Sequence, residues 1–396
     1  MAPGSLRDEA RTAFESLLRP RRANTRVTVL GAGADDLAPG LAFLDALAAG
    51  GWAVPTWPRA YGGRDAAPDD ATVIAEELAR FETPDLYPFL VGLHVVGPTL
   101  LAAATDEQRR RWLPPIAAGA EIWCQLFSEP GAGSDLANVA ARAERDGDQW
   151  RVTGQKVWSS RAAYAHRGFL LARTDPTVPK HTGITAFGLA MAAPGVEVRP
   201  LRQMNGDAHF SEVFLDDLVV DDADRIGPVG GGWGVARTAL ANERGAVGAV
   251  SAGTGVSTGR LVALARARGT SEDPRWRDRL AAAHASSEAA RFTRHRARAR
   301  AEAGQTPGPE GSGAKLRGSA TFKGTVDLAV GILGPSGVAG SDSDALEWRT
   351  LFLTAPSISI RGGTDEIQRN IIGEHVLGLP PEPRVDTDRP WNEVPR

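Results

Sequence analysis

Residues 359–370 read SIRGGTDEIQRN, and this stretch predicts the start of a helix. Thr364 can cap a helix, and the two acidic residues after it would occupy the first turn, where the helix dipole favours negative charge. Gly362 and Gly363, just before the cap, permit a tight approach to the backbone. The apolar residues that follow recur at helical spacing: Ile367, Ile371, Ile372 and Val376.

The residue pattern that predicts secondary structure changes twice along the chain, counted outward from this helix. From residue 233 to the stretch itself, Ala-rich segments predict further helices, whereas residues 121–232 consist of short runs separated by Gly, Pro and Asp turns. Residues 40–120 again show helical spacing. We therefore predict an α+β fold, mainly α, with an N-terminal helical domain (1–120), a middle antiparallel β-domain (121–232), a C-terminal helical bundle (233–380) and a tail (381–396).

Two N-terminal helices have predicted limits. Asp69 or Asp70 is a good N-cap for the helix of DDATVIAEELARFETP. The segment TDEQRRRWLPPI begins with a capping residue, Thr105, and Pro114 and Pro115 predict its end.

The composition excludes several classes of function. The 396-residue chain has a formal net charge of −3, which gives no basic field for nucleic acid. Its single cysteine, Cys124, excludes an intrachain disulfide and fits a reducing compartment. No run reaches the roughly 18 apolar residues of a membrane span, and the first residues contain no apolar signal core. We therefore expect a cytoplasmic protein that binds neither a membrane nor nucleic acid.

The loop LFSEPGAGSD, residues 126–135, is rich in turn residues. Its glycines expose backbone N–H groups that a flat or anionic ligand can approach, and Ser128 and Ser134 add a hydroxyl at each end. An ordinary Gly-Pro connection between domains is an equally good interpretation of this loop alone.

The segment VTGQKVWSS, residues 152–160, predicts a strand with Trp158 and Ser160 on one side. An indole beside a hydroxyl suits stacking on a flat ring such as isoalloxazine while bonding its polar edge. Without further context, a tryptophan buried in the core is the more common explanation.

Three other kinds of site find no support. One stretch, VTVLGAGADD at residues 27–36, is similar to the glycine motif of dinucleotide-binding proteins. It lacks the third glycine and a following βαβ unit, so we interpret it as a loop. The seven histidines show no spacing typical of a metal site, and there is no GxSxG elbow for a nucleophilic serine. We therefore expect no metal.

The combination of LFSEPGAGSD, GQKVWSS and GGTDEIQRNIIGEHVLGLP, in this order, strongly resembles the acyl-CoA dehydrogenase family from about residue 40 to residue 380. The resemblance implies a C-terminal domain of the four-helix type and FAD held between the domains. It implies α,β-dehydrogenation of an acyl thioester, carried by CoA or by an acyl carrier protein. A carboxylate removes the α-proton, the β-hydrogen leaves as hydride to flavin N5, and an electron-transfer flavoprotein then accepts the electrons.

The resemblance also implies which residues contact FAD. Ser128 is similar to the residue that contacts the flavin ring, and Ser134 to the serine on the pyrophosphate side. Trp158 and Ser160 match the pair that lies against the flavin. Thr364 matches a threonine at a helix start that meets the FAD phosphate.

The family places its catalytic glutamate at one of two positions. The first directly precedes Gly-Thr, and here it is vacant because Gly362 stands there. The second lies on the first long helix of the C-terminal domain, before an arginine, and LANERGAV puts Glu243 and Arg244 there. We therefore predict Glu243 as the base, with a pKa raised by apolar neighbours, and expect Arg244 and Gly362 to border the substrate. A purely structural ion pair of Glu243 is the alternative, although Arg244 would be a poor partner because adjacent helical residues do not face each other.

Homotetrameric members complete each FAD site with an arginine before Phe-Gly and two glutamines from a neighbouring subunit. Here RGTSEDPRWRDRL, residues 268–280, replaces the Phe-Gly stretch, and Gly331 stands where a glutamine is expected. Two-subunit members divide these contacts between different chains. We therefore predict a heteromeric α2β2 assembly with a partner of the same family, and a homo-oligomer with substitute contacts as the alternative.

Two other functions stay open at this point. One is a flavin-dependent oxidase or N-hydroxylase on the same fold, which oxygen reactivity of the reduced protein would distinguish. The other is a non-catalytic partner subunit of a heteromeric dehydrogenase, which flavin absorbance of the purified chain would distinguish.

Overall fold

A computed structural model describes residues 5–21, 36–252, 256–303, 308, 311–383, 386 and 388–394, with side chains for all of these except 244–252, 298, 301 and 302. The contacts divide the chain into two compact units. The first comprises Met1–Arg202, Asp207–Ala246 and Arg384–Arg396, and the second Gln203–Gly206 and Val247–Pro383.

The first unit begins with helices. They are α1 (Leu6–Leu17), α2 (Ala38–Ala48), α3 (Pro68–Leu78), α4 (Gly97–Ala103) and α5 (Asp106–Ala117). Thr105 caps α5 as predicted, and Gln108 completes a capping box with it.

Two predicted helix limits are wrong. Helix α5 continues through Pro114 and Pro115 to Ala117, although interior prolines disfavour a helix, because the buried side chains of Ile116 and Ala117 keep the last turn on the core. Helix α3 starts at Pro68 rather than after a cap at Asp69 or Asp70, since proline is pre-organised for the first helical position.

An eight-stranded sheet follows in the same unit. Its strands are β1 (Trp123–Leu126), β2 (Arg142–Asp146), β3 (Gln149–Ser160), β4 (Arg167–Arg173), β5 (Ile184–Ala190), β6 (Val196–Leu201), β7 (Phe210–Asp221) and β8 (Arg225–Ile226). The order is β6-β7-β3-β2-β4-β5-β8, with β1 alongside β4. Pairing is antiparallel except that β4 runs parallel to β1 and, at one residue pair, to β2.

Both faces of the sheet are buried at β4 and β5. One face, with Phe169 and Leu171, packs on the core of the N-terminal helices. The opposite face, with Leu170 and Phe187, forms a second core with Trp150. Cys124 lies in this second core, where burial raises the pKa of its thiol to about 12 and keeps it protonated.

The remaining elements are helical. Helix α6 (Gly232–Ala252) is divided between the units, and the second unit continues with α7 (Thr258–Ala267), α8 (Pro274–Glu302), α9 (Gly311–Leu333), α10 (Pro335–Ala339), α11 (Ser343–Ile358) and α12 (Asp365–His375). Helix α9 is central and packs against α7, α8, α11 and α12. Among the residues that the structure describes, no helix is long and apolar enough to cross a membrane.

The predicted fold class is confirmed: helices, then a mainly antiparallel sheet, then helices again. The domain boundaries after residues 120, 232 and 380 stay predictions. The stretch 27–36, interpreted above as a loop, lies outside the described residues except for Asp36.

Candidate active site

A buried ion pair anchors the loop 126–135, hereafter the flavin loop. The Glu129 carboxylate accepts the backbone N–H groups of Ala140 and Ala141 at 2.6 and 3.0 Å and a hydrogen bond from Lys156 Nζ at 2.7 Å. Lys156, whose side chain is fully buried, also donates to the Phe127 carbonyl at 3.1 Å. Burial lowers the pKa of Lys156, and the Glu129 charge opposes that shift. The pair therefore fixes the loop to β3.

The two glycines of the flavin loop leave its backbone uncovered. A Cβ added at Gly131 or Gly133 would meet nothing within 4 Å. Neither glycine has a positive φ, so the absence of a side chain, rather than a turn only glycine can make, explains them. Ser134 is exposed, whereas Ser128 is half-buried and its carbonyl accepts the Val157 N–H at 2.9 Å. This bond places Ser128 beside the end of β3.

Trp158 is not a core residue, so the more common explanation for it is wrong. Trp158 is 60% exposed and forms a T-shaped contact with the ring of Phe210, with ring centroids 5.9 Å apart. The alternation of β3 is interrupted here, because the pairing with β7 shifts register between Lys156 and Ser159 and Trp158 has a φ of 59°. Ser159 is buried, whereas Trp158 is exposed to solvent and Ser160 is half-buried.

A cluster that sequence reasoning missed supports this strand end. Arg161 also has a φ of 59°, and its N–H donates to the His209 carbonyl at 2.7 Å. Its buried guanidinium lies 4.8 Å from the centre of the Tyr87 ring. The His209 ring lies tilted against Phe210, with centroids 4.6 Å apart, and Phe210 in turn contacts Trp158. No local signal reveals this cluster, since its members come from three separate stretches.

Glu243 is half-buried on α6 in the same unit as the flavin loop. Gln125 Nε2 donates to its Oε2 at 3.4 Å. Gln125 lies on β1, three residues before Ser128, so the carboxylate is next to the strand that leads into the flavin loop. The side chain of Arg244 lies outside the described part of the chain. Sequence reasoning missed Gln125, because its partner is 118 residues away.

Gly362 and Thr364 lie in the second unit, at the start of α12. Thr364 caps the helix as predicted and accepts the Ile367 N–H at 3.2 Å. Gly362 and Gly363 have φ values of 66° and 83°, which only glycine adopts easily, and a Cβ added at Gly362 would meet nothing within 4 Å. Asp365 is buried rather than solvated, and Lys315 Nζ donates to it at 2.8 Å.

These features of the first unit fit a flat, phosphate-bearing cofactor. Such a ligand needs an uncovered aromatic surface and a backbone without side chains over it. Trp158 supplies the first, and Gly131 and Gly133 supply the second. A carboxylate beside this place, Glu243, can accept a proton.

Comparison with known proteins identifies the family of the chain. Residues 4–120, 124–218 and 230–377 match the N-terminal, middle and C-terminal domains of acyl-CoA dehydrogenases. The acyl-CoA dehydrogenase IpdE1 of Mycobacterium tuberculosis (strain ATCC 25618 / H37Rv) is 40% identical over 340 residues, which cover 85% of this chain and 87% of that protein.

Solved structures give the same result. A structure described as the Tcur3481-Tcur3483 steroid ACAD is 30% identical, with a TM-score of 0.81 over 96% of this chain and 99% of that chain. The ChsE4-ChsE5 complex from Mycobacterium tuberculosis is 30% identical, with a TM-score of 0.71 over 95% of this chain and 97% of that chain. The chain therefore belongs to the acyl-CoA dehydrogenase family, and it is a flavoprotein oxidoreductase with FAD as its cofactor.

Proposed function

We propose that the chain catalyses the α,β-dehydrogenation of an acyl-CoA thioester, with Glu243 as the base that removes the α-proton. The observation that carries this proposal is the position of the Glu243 carboxylate beside β1. It accepts a hydrogen bond from Gln125, which lies three residues before Ser128. FAD, when bound, supplies the acceptor for the hydride that leaves the β-carbon.

Gln125 has a positioning role in this proposal. Its amide N–H holds one oxygen of the Glu243 carboxylate at 3.4 Å, which orients the carboxylate without adding a formal charge. A partly desolvated carboxylate is a stronger base than one in water, and a thioester α-proton is weakly acidic, so both burial and orientation favour the transfer.

The remaining site residues take roles that follow from their places. Ser128, Trp158 and Ser160 would border the flavin ring, with the exposed indole as the stacking surface. Ser134, at the exposed end of the flavin loop, would bind the pyrophosphate side, and Thr364 would meet phosphate at the amino end of α12. Gly362 and Arg244 would border the substrate, which Gly362 accommodates by having no side chain.

Anaerobic bleaching of the flavin by acyl-CoA compounds tests the function. The panel includes straight-chain, branched and steroid-derived acyl-CoA thioesters, the last because one structural relative is described as a steroid ACAD. We expect bleaching by at least one compound, slow reoxidation by oxygen and fast reoxidation by an electron-transfer flavoprotein. Rapid reoxidation by oxygen would favour an oxidase, and a flavin-loaded protein that no thioester bleaches would contradict the proposal.

We also propose that the chain works in an α2β2 assembly with a second member of its family, with two FAD. The support lies at Gly331, where a Cβ would stand 3.2 Å from Cη2 of Trp276 and 3.9 Å from Nη1 of Arg279. Arg279 in turn lies over the Trp276 ring and 3.6 Å from Asp327. The chain's own Trp276 and Arg279 therefore lie beside the position where a homotetrameric member has a glutamine for its neighbour's FAD.

Co-expression with a homologous chain tests the assembly. We expect a complex of four chains that contains two FAD, measured by native mass and flavin absorbance. One tightly bound FAD per chain in a fully active protein purified alone would contradict the heteromer and leave the dehydrogenase proposal intact.

A further inference from the structure

A segment far along the sequence packs against the end of the flavin loop. Asp386 and residues 388–394, here called the clamp segment, belong to the first unit. The Trp391 N–H donates to the Val178 carbonyl at 2.9 Å, and the Asn392 N–H to the Pro176 carbonyl at 3.0 Å. The Trp391 indole is buried, and its Nε1 donates to Asn138 Oδ1 at 2.7 Å. Asn138 lies three residues beyond the flavin loop.

Trp391 also covers a buried arginine that holds this part of the backbone. The Arg173 guanidinium lies 4.3 Å from the centre of the Trp391 ring. It donates to the carbonyls of Ala137 at 2.7 Å, Val139 at 3.0 Å and Lys180 at 3.1 Å. Arg173 is therefore a fixed support between the clamp segment and the chain that leaves the flavin loop, and Trp391 shields it from water.

A second link runs through Lys180. Its Nζ donates to both oxygens of Asp135, at 2.9 and 3.0 Å, and to Asp386 Oδ2. Asp135 is the last residue of the flavin loop, and the Lys180 side chain is only 11% exposed. The hydrogen bond from Lys180 lowers the pKa of Asp386, which keeps that carboxylate charged at neutral pH. The clamp segment therefore completes a carboxylate–ammonium–carboxylate bridge to the loop.

The two ends of the flavin loop are thus held by different parts of the chain. Glu129 and Lys156 fix the end that carries Ser128, whereas Lys180, which Asp386 of the clamp segment binds, fixes the end that carries Ser134. The open glycines Gly131 and Gly133 lie between these two anchors.

We propose that the clamp segment is a positioning element for the phosphate side of the FAD site, which it holds through Trp391 on Arg173 and Asp386 on Lys180. This rests on the proposed role of Ser134. Loss of the clamp segment removes Asp386 from Lys180 and uncovers Arg173, which loosens the far end of the loop, so that FAD binding must order it and becomes weaker. The ring side, which has its own anchor, stays unchanged.

The test compares the full chain with a chain that ends at Pro383 and with the variants Trp391→Ala, Asp386→Ala and Asp386→Glu. Apoprotein is titrated with FAD, and hydrogen exchange of residues 131–140 is measured without FAD. We expect about tenfold weaker FAD binding or more for the shortened chain and for Trp391→Ala, the size that follows from losing hydrogen bonds to charged groups. Exchange in the loop becomes faster, the flavin absorbance spectrum is unchanged, and Asp386→Glu binds FAD more tightly than Asp386→Ala.

Asp388→Ala is the matched control, because Asp388 is exposed in the same segment. Unchanged FAD affinity and loop exchange in the shortened chain would overturn the proposal, as would an equal effect of Asp388→Ala. If the shortened chain does not fold, the point variants decide by the same two measurements. A full chain that binds no FAD would contradict the proposed function instead, and exchange in the apoprotein would still test the clamp.

Discussion

At Trp158 the backbone takes a conformation that costs free energy. A φ of 59° is in the left-handed region, which is unfavourable by about 1–2 kcal/mol for a residue with a Cβ. The indole gains little packing in return, since Trp158 is 60% exposed. Strain of this kind persists where a binding function selects the residue.

Replacing Trp158 separates the two effects. Trp158→Gly removes the indole and relieves the strain, so we expect unfolding stability equal to or above that of the native chain, together with weaker FAD binding. Trp158→Ala loses the same ring contact but keeps the strain, so it binds FAD equally weakly and is less stable than the glycine variant. Thermal unfolding of the apoprotein and FAD titration measure both. Undiminished FAD affinity in either variant would contradict a role of Trp158 in FAD binding.

The Glu129–Lys156 pair makes a second prediction for single residues. Lys156→Met leaves a buried carboxylate without its counter-charge, and we expect a loss of about 3–5 kcal/mol in unfolding free energy, measured by urea unfolding. Adding Glu129→Gln to Lys156→Met restores part of this loss because the uncompensated charge is gone. The exposed pair of Arg151 and Asp146 is the control, since Asp146→Asn is expected to cost less than about 1 kcal/mol. Equal costs for the two pairs would contradict the anchoring role.

Helices α1 and α3 are joined through a carboxylate whose ionisation makes the contact dependent on pH. Hydrogen bonds from Arg11, opposed by burial and aided by Arg7, hold the pKa of Glu77 at about 2, below its usual value of 4.5. A depressed pKa in the folded state gives stability that is complete above the unfolded value and is lost as pH falls from about 4.5 towards 2.

The unfolding midpoint in urea at about pH 5 and about pH 3 measures this contribution. We expect the native chain to lose more stability between these values than Glu77→Gln, which cannot titrate. Glu107→Gln, an exposed change on α5, is the control and is expected to lose as much stability between these pH values as the native chain. An equal loss of stability between the two pH values for the native chain and Glu77→Gln would show that the pair with Arg11 does not set the acid stability.

The sequence predicts an element well where the signal is local. Thr364 identifies the start of α12, and Thr105 that of α5, because a cap and its N–H donor are three residues apart. It fails where tertiary packing decides: Pro114 and Pro115 do not end α5, since buried neighbours hold the last turn. The clamp segment is hidden from the sequence for the same reason, because Asp386 and Lys180 are 206 residues apart.

At the scale of the whole molecule, the second unit leaves large apolar side chains uncovered. Val338 is 74% exposed, Leu377 66% and Ile360 65%, and Val376 on the apolar face predicted for α12 is 48% exposed. A surface that carries such side chains can become buried in an assembly, and we test this at Leu377.

We therefore expect Leu377→Glu to weaken association with a partner chain at least tenfold, because a carboxylate would have to be desolvated in an apolar contact. Analytical ultracentrifugation of the co-expressed proteins measures the effect. Leu17→Glu is the control, as Leu17 is 45% exposed on α1 and is expected to leave the assembly intact. Association that tolerates Leu377→Glu and fails with Leu17→Glu would place the interface elsewhere.

The candidate site shows the same limit of sequence reasoning. The motifs predict Ser128, Trp158, Ser160 and Glu243 as site residues, and the structure places all four in one unit. The motifs do not reveal that Gln125 holds Glu243 or that Arg161 and His209 support the strand end, since these contacts join residues far apart in the chain.

The rate of anaerobic flavin reduction in Glu243→Gln tests the central claim most directly. The variant is loaded with FAD, mixed with the acyl-CoA that bleaches the native protein fastest, and followed by stopped-flow absorbance, with Glu107→Gln as the control. We predict that FAD content and acyl-CoA binding stay near native while the reduction rate falls about a hundredfold or more, as for loss of a positioned general base. Reduction at a near-native rate in Glu243→Gln would contradict the assignment of Glu243 as the base.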